Sequence, residues 1–149
     1  MQAAEYIQES LRKIDIEVTI KDFNWDEYLS RIQQGEHELA LIGWTGDNID
    51  PDNFLNTLLA SENAEPGYAG NYSFYKNAEV DLLLTQARQA TDMVFRKNLY
   101  RQLLDIVNTD MPSVPLVHTM PVLAARLSVN GYSPYVTGVE SLENVDIEQ

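Results

Sequence analysis

The chain has 149 residues, enough for one domain that buries roughly 68–70% of the surface its unfolded form would expose. Its apolar and charged fractions, 44% and 22%, are those of a folded globular protein and not of a disordered one. With 23 acidic against 10 basic residues the formal net charge is −13, which argues against a nucleic-acid partner and an anionic membrane surface, while tolerating cationic groups such as amines.

There are no cysteines, which removes thiol catalysis, cysteine-based zinc sites and a disulfide framework together. No apolar run approaches the roughly 20 residues of a membrane-spanning helix. A helical stripe of Ala4, Ile7, Leu11 and Ile14 predicts a first helix over residues 3–14. It opens without an N-cap residue, as expected of a chain that belongs to something longer. Ile16, Val18 and Ile20 alternate with polar residues and predict a strand. Asn24 is a suitable N-cap, Asp26 and Glu27 suit the dipole of the helix that follows, and Gly35 is its natural stop. Trp25, Tyr28, Leu29 and Ile32 form the apolar face of this second helix. Residues 38–44 contain the run Leu39-Ala40-Leu41-Ile42, long enough for a buried strand. Strand, helix and strand with short loops predict a right-handed βαβ unit with parallel strands.

A polar turn over residues 45–52 leads into a helix near 51–60, with Pro51 in its first turn. Ligands of open α/β sheets sit at the carboxyl ends of strands, which singles out Gly43-Trp44-Thr45-Gly46-Asp47. Residues 61–72 read as a loop. Asn77 should cap a helix carrying Val80, Leu83, Leu84 and Ala87, and a further helix from about Thr91 carries Phe95, Leu99, Leu103 and Ile106 and stops before Pro112. Leu116-Val117-His118, residues 122–129 and residues 144–147 are expected to be extended, with Asn130-Gly131 as a turn signal. No internal repeat, low-complexity tract or domain linker is visible.

Catalytic signatures fail one after another. His37-Glu38 begins a zinc-protease pattern, but Leu41 stands where its second histidine belongs. With only His37 and His118 in the chain, a three-histidine metal site is impossible. There is no G-x-S-x-G elbow and no phosphate-binding loop, since Gly67 and Gly70 lack the Lys-Ser/Thr that would follow. His118, in an apolar run, is expected in a core or facing a ligand. Asn71-Tyr72-Ser73 matches a glycosylation sequon, a short and unspecific pattern.

The densest polar feature is Asp47-Asn48-Ile49-Asp50-Pro51-Asp52-Asn53. EF-hand spacing fails in it, for want of the turn glycine and the closing glutamate. A pair of glycosidase carboxylates finds no other support in the chain. Asp50 and Asp52 are better read as caps of the following helix. Asp47 lies too early to cap that helix directly, and a carboxylate beside Trp44 at a strand end suits a cationic group.

Gly43-Trp44-Thr45-Gly46-Asp47-Asn48, followed by Asp50-Pro51-Asp52-Asn53-Phe54, resembles the signature of the dipeptide- and oligopeptide-binding proteins of ABC importers, the extracellular solute-binding proteins of family 5. The likeness extends to Ala4-Glu5 with Ile7-Gln8, Tyr28-Leu29, Gly35-Glu36-His37, Asn71-Tyr72-Ser73 and Glu143-Asn144-Val145, so it spans nearly the whole chain. It implies an α/β lobe of the periplasmic-binding-protein type II class, a mixed sheet flanked by helices. Residues 1–149 would then be a single domain, most of the C-terminal lobe of a larger two-lobed protein. The implied function is extracytoplasmic capture of di- or oligopeptides and their delivery to the permease subunits. The protein would be a monomer without enzymatic activity or cofactor, in the periplasm or on the cell surface as a lipoprotein.

By that resemblance Asp47 pairs with the free ammonium of the peptide, main-chain groups of Gly43, Trp44, Thr45 and Gly46 pair with it as an added strand, and Trp44 lines a side-chain pocket. The arrangement suits a receptor of many sequences, because main-chain hydrogen bonds are common to all peptides. Three departures stand out. The arginine that meets the peptide carboxylate in dipeptide-binding relatives lies upstream of this chain. Leu41 stands where oligopeptide-binding relatives carry a basic residue. Neither Glu62 nor Tyr75, near a disulfide of many relatives, is cysteine, which leaves the loop 61–72 freer to move. The same scaffold also binds haem or antimicrobial peptides in other members, and a carboxylate-based hydrolase using Asp50 and Asp52 is the rival from a different class.

Overall fold

In the computed structural model, residues 2–118, 122–134 and 141–148 are described. Five helices dominate: α1 (Gln2–Arg12), α2 (Trp25–Gln34), α3 (Pro51–Leu59), α4 (Ala78–Gln89) and α5 (Met93–Asp110). A 3-10 turn, Ser61–Asn63, follows α3, and β1 (Val129–Asn130) pairs antiparallel with β2 (Asp146–Ile147).

The helix boundaries follow from capping chemistry. Asn24 accepts from the Glu27 amide at 3.0 Å, and Gly35 ends α2 in the left-handed conformation (φ 77°), where a Cβ is unfavourable. Asp50 caps α3 through the Asp52 amide, Asn77 caps α4 through the amides of Glu79 and Val80, and Asp92 caps α5 through the Phe95 amide. The α5 cap lies at Asp92, next to the start predicted near Thr91.

The core lies where α3, α4 and α5 meet. Leu55 and Leu59 pack against Val80, Leu83, Leu84 and Ala87, and against Leu99, Tyr100 and Leu103. These are the i, i+3, i+4 positions of amphipathic helices, so one apolar face of each is removed from water. The ends of the α4–α5 hairpin are tied by Asp110, which accepts from the Tyr75 hydroxyl and from Asn77 Nδ2. In contrast, α1 buries no residue fully and α2 only Ile32. Trp25, assigned to the apolar face of α2, is exposed and meets Tyr28 in a tilted ring contact.

The loop after α3 departs from expectation. Although it has no disulfide, it is folded around Asn71, which is fully buried. Asn71 donates to the carbonyls of Ala60 (3.2 Å) and Tyr75 (2.9 Å), and its own carbonyl accepts from Ser73 Oγ. The Asn63 carbonyl accepts from the amides of Gly70 and Asn71, and the Ser61 amide donates to Asp81. The asparagine of the sequon is thus a structural amide, enclosed and fully used, and closed to glycosylation in the folded chain.

The expected strands over 16–20 and 39–42 are irregular segments without a ladder among the described residues, with Leu39 in a bend, and 116–118 is irregular as well. The parallel βαβ pair is therefore not formed within the described residues. A strand needs a neighbour for its main-chain groups, and among the described residues these segments meet only single side-chain donors, Gln8 at the Val18 carbonyl and Tyr28 at that of Leu41. Their apolar side chains stand in solvent accordingly: Leu39 is 71% exposed, and Ile16, Leu41 and Ile42 are also exposed. Of the extended runs expected at 122–129 and 144–147, only Val129 and Asp146–Ile147 enter a ladder. Gly131, at φ 74°, carries the chain away from it, where a Cβ would collide with the Asn144 carbonyl.

The helical core places the motif turn. Arg96 on α5 forks onto the Asp50 carboxylate, Nη2 to Oδ1 at 2.7 Å and Nη1 to Oδ2 at 2.9 Å. The same guanidinium donates to the Ala87 carbonyl at the end of α4 and to the Tyr100 hydroxyl, both at 2.9 Å. Hydrogen bonds from Arg96 and from the Asp52 amide hold the Asp50 carboxyl below the usual carboxylate range.

Two outcomes test this account. Asn71→Ala leaves the Tyr75 carbonyl without its donor and the Ala60 carbonyl with only the Asn63 amide, and is expected to lower unfolding stability by about 1–3 kcal/mol in urea titration. The folded state holds the Asp50 proton less tightly than the unfolded state does, so its contribution is present above pH ~4 and is lost as pH falls below that value. Asp50→Asn retains a good cap and removes the charge. Its destabilisation relative to the wild type should be largest near pH 7 and should shrink below about pH 4.

Candidate functional site

The signature residues occupy the exit of an irregular segment that α2 holds from one side. The Tyr28 hydroxyl on α2 donates to the Leu41 carbonyl at 2.8 Å, and burial raises the phenol's pKa above its ordinary value. From that anchor the chain runs through Ile42, Gly43, Trp44 and Thr45 to Gly46 without helix, turn or bend. Among the described residues, no hydrogen bond takes the main-chain groups of Gly43, Trp44, Thr45 or Gly46. Trp44 is 37% exposed, and a Cβ added at Gly43 would meet nothing within 4 Å. One edge of this backbone is thus open to another extended chain.

Asp47 closes the run. Its amide donates to Asn53 Oδ1 at 3.0 Å, and its Oδ2 lies 3.5 Å from Asn53 Nδ2. The other carboxylate oxygen has no partner among the described residues, and the residue is exposed. Gly46 lies close to this knot, because a Cβ there would sit 3.0 Å from the Asn48 carbonyl and 3.3 Å from Asn53 Oδ1. The open oxygen of Asp47 can accept from a donor approaching along the free backbone.

The neighbouring carboxylates are occupied otherwise. Asp50 caps α3 and receives the Arg96 fork, while Asp52 lies 3.3 Å from Arg88 Nε. A carboxyl held ionised by an arginine is a poor proton donor, which counts against an acid–base pair made of Asp50 and Asp52. No cluster of three or more metal-ligating side chains is present among the described residues. His37 places Nε2 at 2.9 Å from the Tyr72 carbonyl beside the Phe74 ring, away from the motif. His118, expected in a core or facing a ligand, is exposed. Asn53 and Arg96 were not singled out from the sequence. The Asp-Pro-Asp-Asn run could have suggested Asn53, because an asparagine in a first turn readily bonds nearby backbone. Nothing local marks Arg96.

Comparison with known proteins identifies the family. Residues 1–66 match the family model described as bacterial extracellular solute-binding proteins, family 5 Middle. The dipeptide-binding protein of Escherichia coli strain K12 is 36% identical over 145 residues, which are 97% of this chain and 27% of that protein. Heme-binding protein A of Haemophilus influenzae is 32% identical over 145 residues, 97% of this chain and 26% of its own. An ABC transporter-associated periplasmic binding protein from Helicobacter pylori, solved in complex with the peptide STSA, superposes with a TM-score of 0.89 at 38% identity. That match covers 99% of this chain and 29% of the other. The chain thus spans about a quarter of the length of the curated relatives it matches. No described helix is long and apolar enough to cross a membrane. From motif, fold and relatives together, the chain belongs to the bacterial extracellular solute-binding proteins of family 5.

Proposed function

We propose that the chain forms most of the C-terminal lobe of a two-lobed, extracytoplasmic peptide receptor serving an ABC importer. Within it, residues 43–47 hold the amino end of a di- or oligopeptide. The observation that carries this reading is the backbone of Gly43–Gly46, unpaired among the described residues, ending at the carboxylate oxygen of Asp47 that none of them takes. A peptide added as a strand would satisfy the main-chain groups, whatever its sequence. Its ammonium would meet Asp47, with Trp44 as a wall of the first side-chain pocket. The absence of a side chain at Gly43 leaves the close approach unobstructed.

In the assembled protein the segments 16–20 and 39–42 join a mixed sheet, which would cover Ile16, Leu39, Leu41 and Ile42. The receptor acts as a monomer, without cofactor or catalysis, and hands its peptide to the permease subunits. The similarity to a protein named for haem keeps one other ligand class in view.

Calorimetric titration of the full-length protein with a free dipeptide and its N-acetylated form tests the reading. The free form should bind and the acetylated form should not. Asp47→Asn should weaken the free form by about 2–5 kcal/mol, roughly 30- to 4,000-fold. Equal binding of the two forms would remove the role given to Asp47. Failure of both with ligand-free, folded protein, together with a haem absorption shift on titration, would favour the haem reading.

A further inference from the structure

We propose that Arg96, remote from the signature in sequence, is the positioning residue that sets the Asp47 carboxylate for its ligand. The inference rests on the peptide-receptor reading for its functional consequence. Its mechanical part stands on geometry alone.

The guanidinium is fixed before it reaches the motif. It is largely enclosed, at 15% side-chain exposure, and spends donors on the Ala87 carbonyl and the Tyr100 hydroxyl. Its remaining N–H groups form a planar fork onto both oxygens of Asp50, a geometry lysine cannot reproduce. Asp50 in turn caps α3, and its carbonyl accepts from the Asn53 amide at 3.2 Å. Asn53, in that first turn, takes the Asp47 amide on Oδ1 and faces the Asp47 carboxylate with Nδ2. An unbroken series of contacts therefore runs from the α4–α5 hairpin through Arg96, Asp50 and Asn53 to Asp47. Arg88, whose Nε alone lies 3.3 and 3.4 Å from the two Asp52 oxygens, is an exposed second tie with longer contacts and is the weaker of the two.

Electrostatics alone predicts the opposite effect, which makes the inference testable. Removing Arg96 uncovers a carboxylate near Asp47 and would attract a cationic ligand more strongly at low salt. If positioning dominates, loss of Arg96 weakens recognition of the ammonium despite the added negative charge.

The experiment compares wild type, Arg96→Met, Asp50→Asn and the double variant in the full-length protein, at about 0.5 M salt to screen the long-range term. Two readouts are taken. The first, ligand-free, is hydrogen exchange at the Asp47 amide, with the Glu27 amide of the α2 cap as internal control. Arg96→Met should speed exchange at Asp47 at least tenfold and leave Glu27 unchanged. The second is the ratio of affinities for a free dipeptide and its N-acetylated form, which destabilisation alone does not alter. That ratio should fall at least tenfold in Arg96→Met, and the same substitution in the Asp50→Asn background should add little.

Unchanged exchange at Asp47 in folded Arg96→Met would overturn the inference, as would a ratio that holds or rises. So would an undiminished effect of the substitution in the Asp50→Asn background. If Arg96→Met does not fold, Asp50→Asn, which keeps the cap, carries the same two readouts. A wild type that binds both peptide forms equally would remove the role of Asp47 in binding, while the exchange measurement still decides whether Arg96 sets its geometry.

Discussion

The Arg96–Asp50 fork joins the two halves of this molecule that matter for function. On one side lies a core in which α4 packs against both α3 and α5, held by apolar burial. On the other lies an open backbone with a free carboxylate oxygen, which cannot be held by burial because it must meet solvent or ligand. A bidentate charge pair suits such a boundary. It fixes distance and orientation together, and the arginine's other donors find their own partners, so neither charge is left uncompensated.

A second constraint concerns what the described residues do not pair. The segments 16–20 and 39–42 have the alternation or apolar content of strands, yet they stand irregular with their apolar side chains exposed. Their main-chain groups find no ladder among the described residues, and the chain spans only about a quarter of the length of the relatives it matches. The loop from Ser61 to Tyr72 illustrates the opposite solution. Without a disulfide or secondary structure beyond one 3-10 turn, it is ordered by a buried asparagine that satisfies carbonyls on both sides.

The division of labour among the motif carboxylates follows from their partners. Asp50 and Asp52 are used up by caps and arginines. Asp47 is held on one side by Asn53 and keeps an oxygen free. Three acidic residues close in sequence thus serve distinct ends: Asp50 caps α3, Asp52 meets Arg88 of α4, and Asp47 faces outward.

Local chemistry settled much of this from the sequence. The caps Asn24, Asp50 and Asn77, the stop at Gly35 and the apolar faces of α4 and, apart from the exposed Phe95, of α5 follow from short-range rules, because a cap acts within three residues and a helix face repeats every three or four. The family was also legible in Gly43-Trp44-Thr45-Gly46-Asp47, since a contiguous motif can be recognised without knowing the fold. What required tertiary structure were contacts between residues far apart in the chain. Arg96 meeting Asp50, Asn71 closing the loop, His118 lying exposed and the strand segments lacking partners all depend on how elements pack. No periodicity or cap encodes that outcome, because a long-range contact is fixed only when whole faces are buried together.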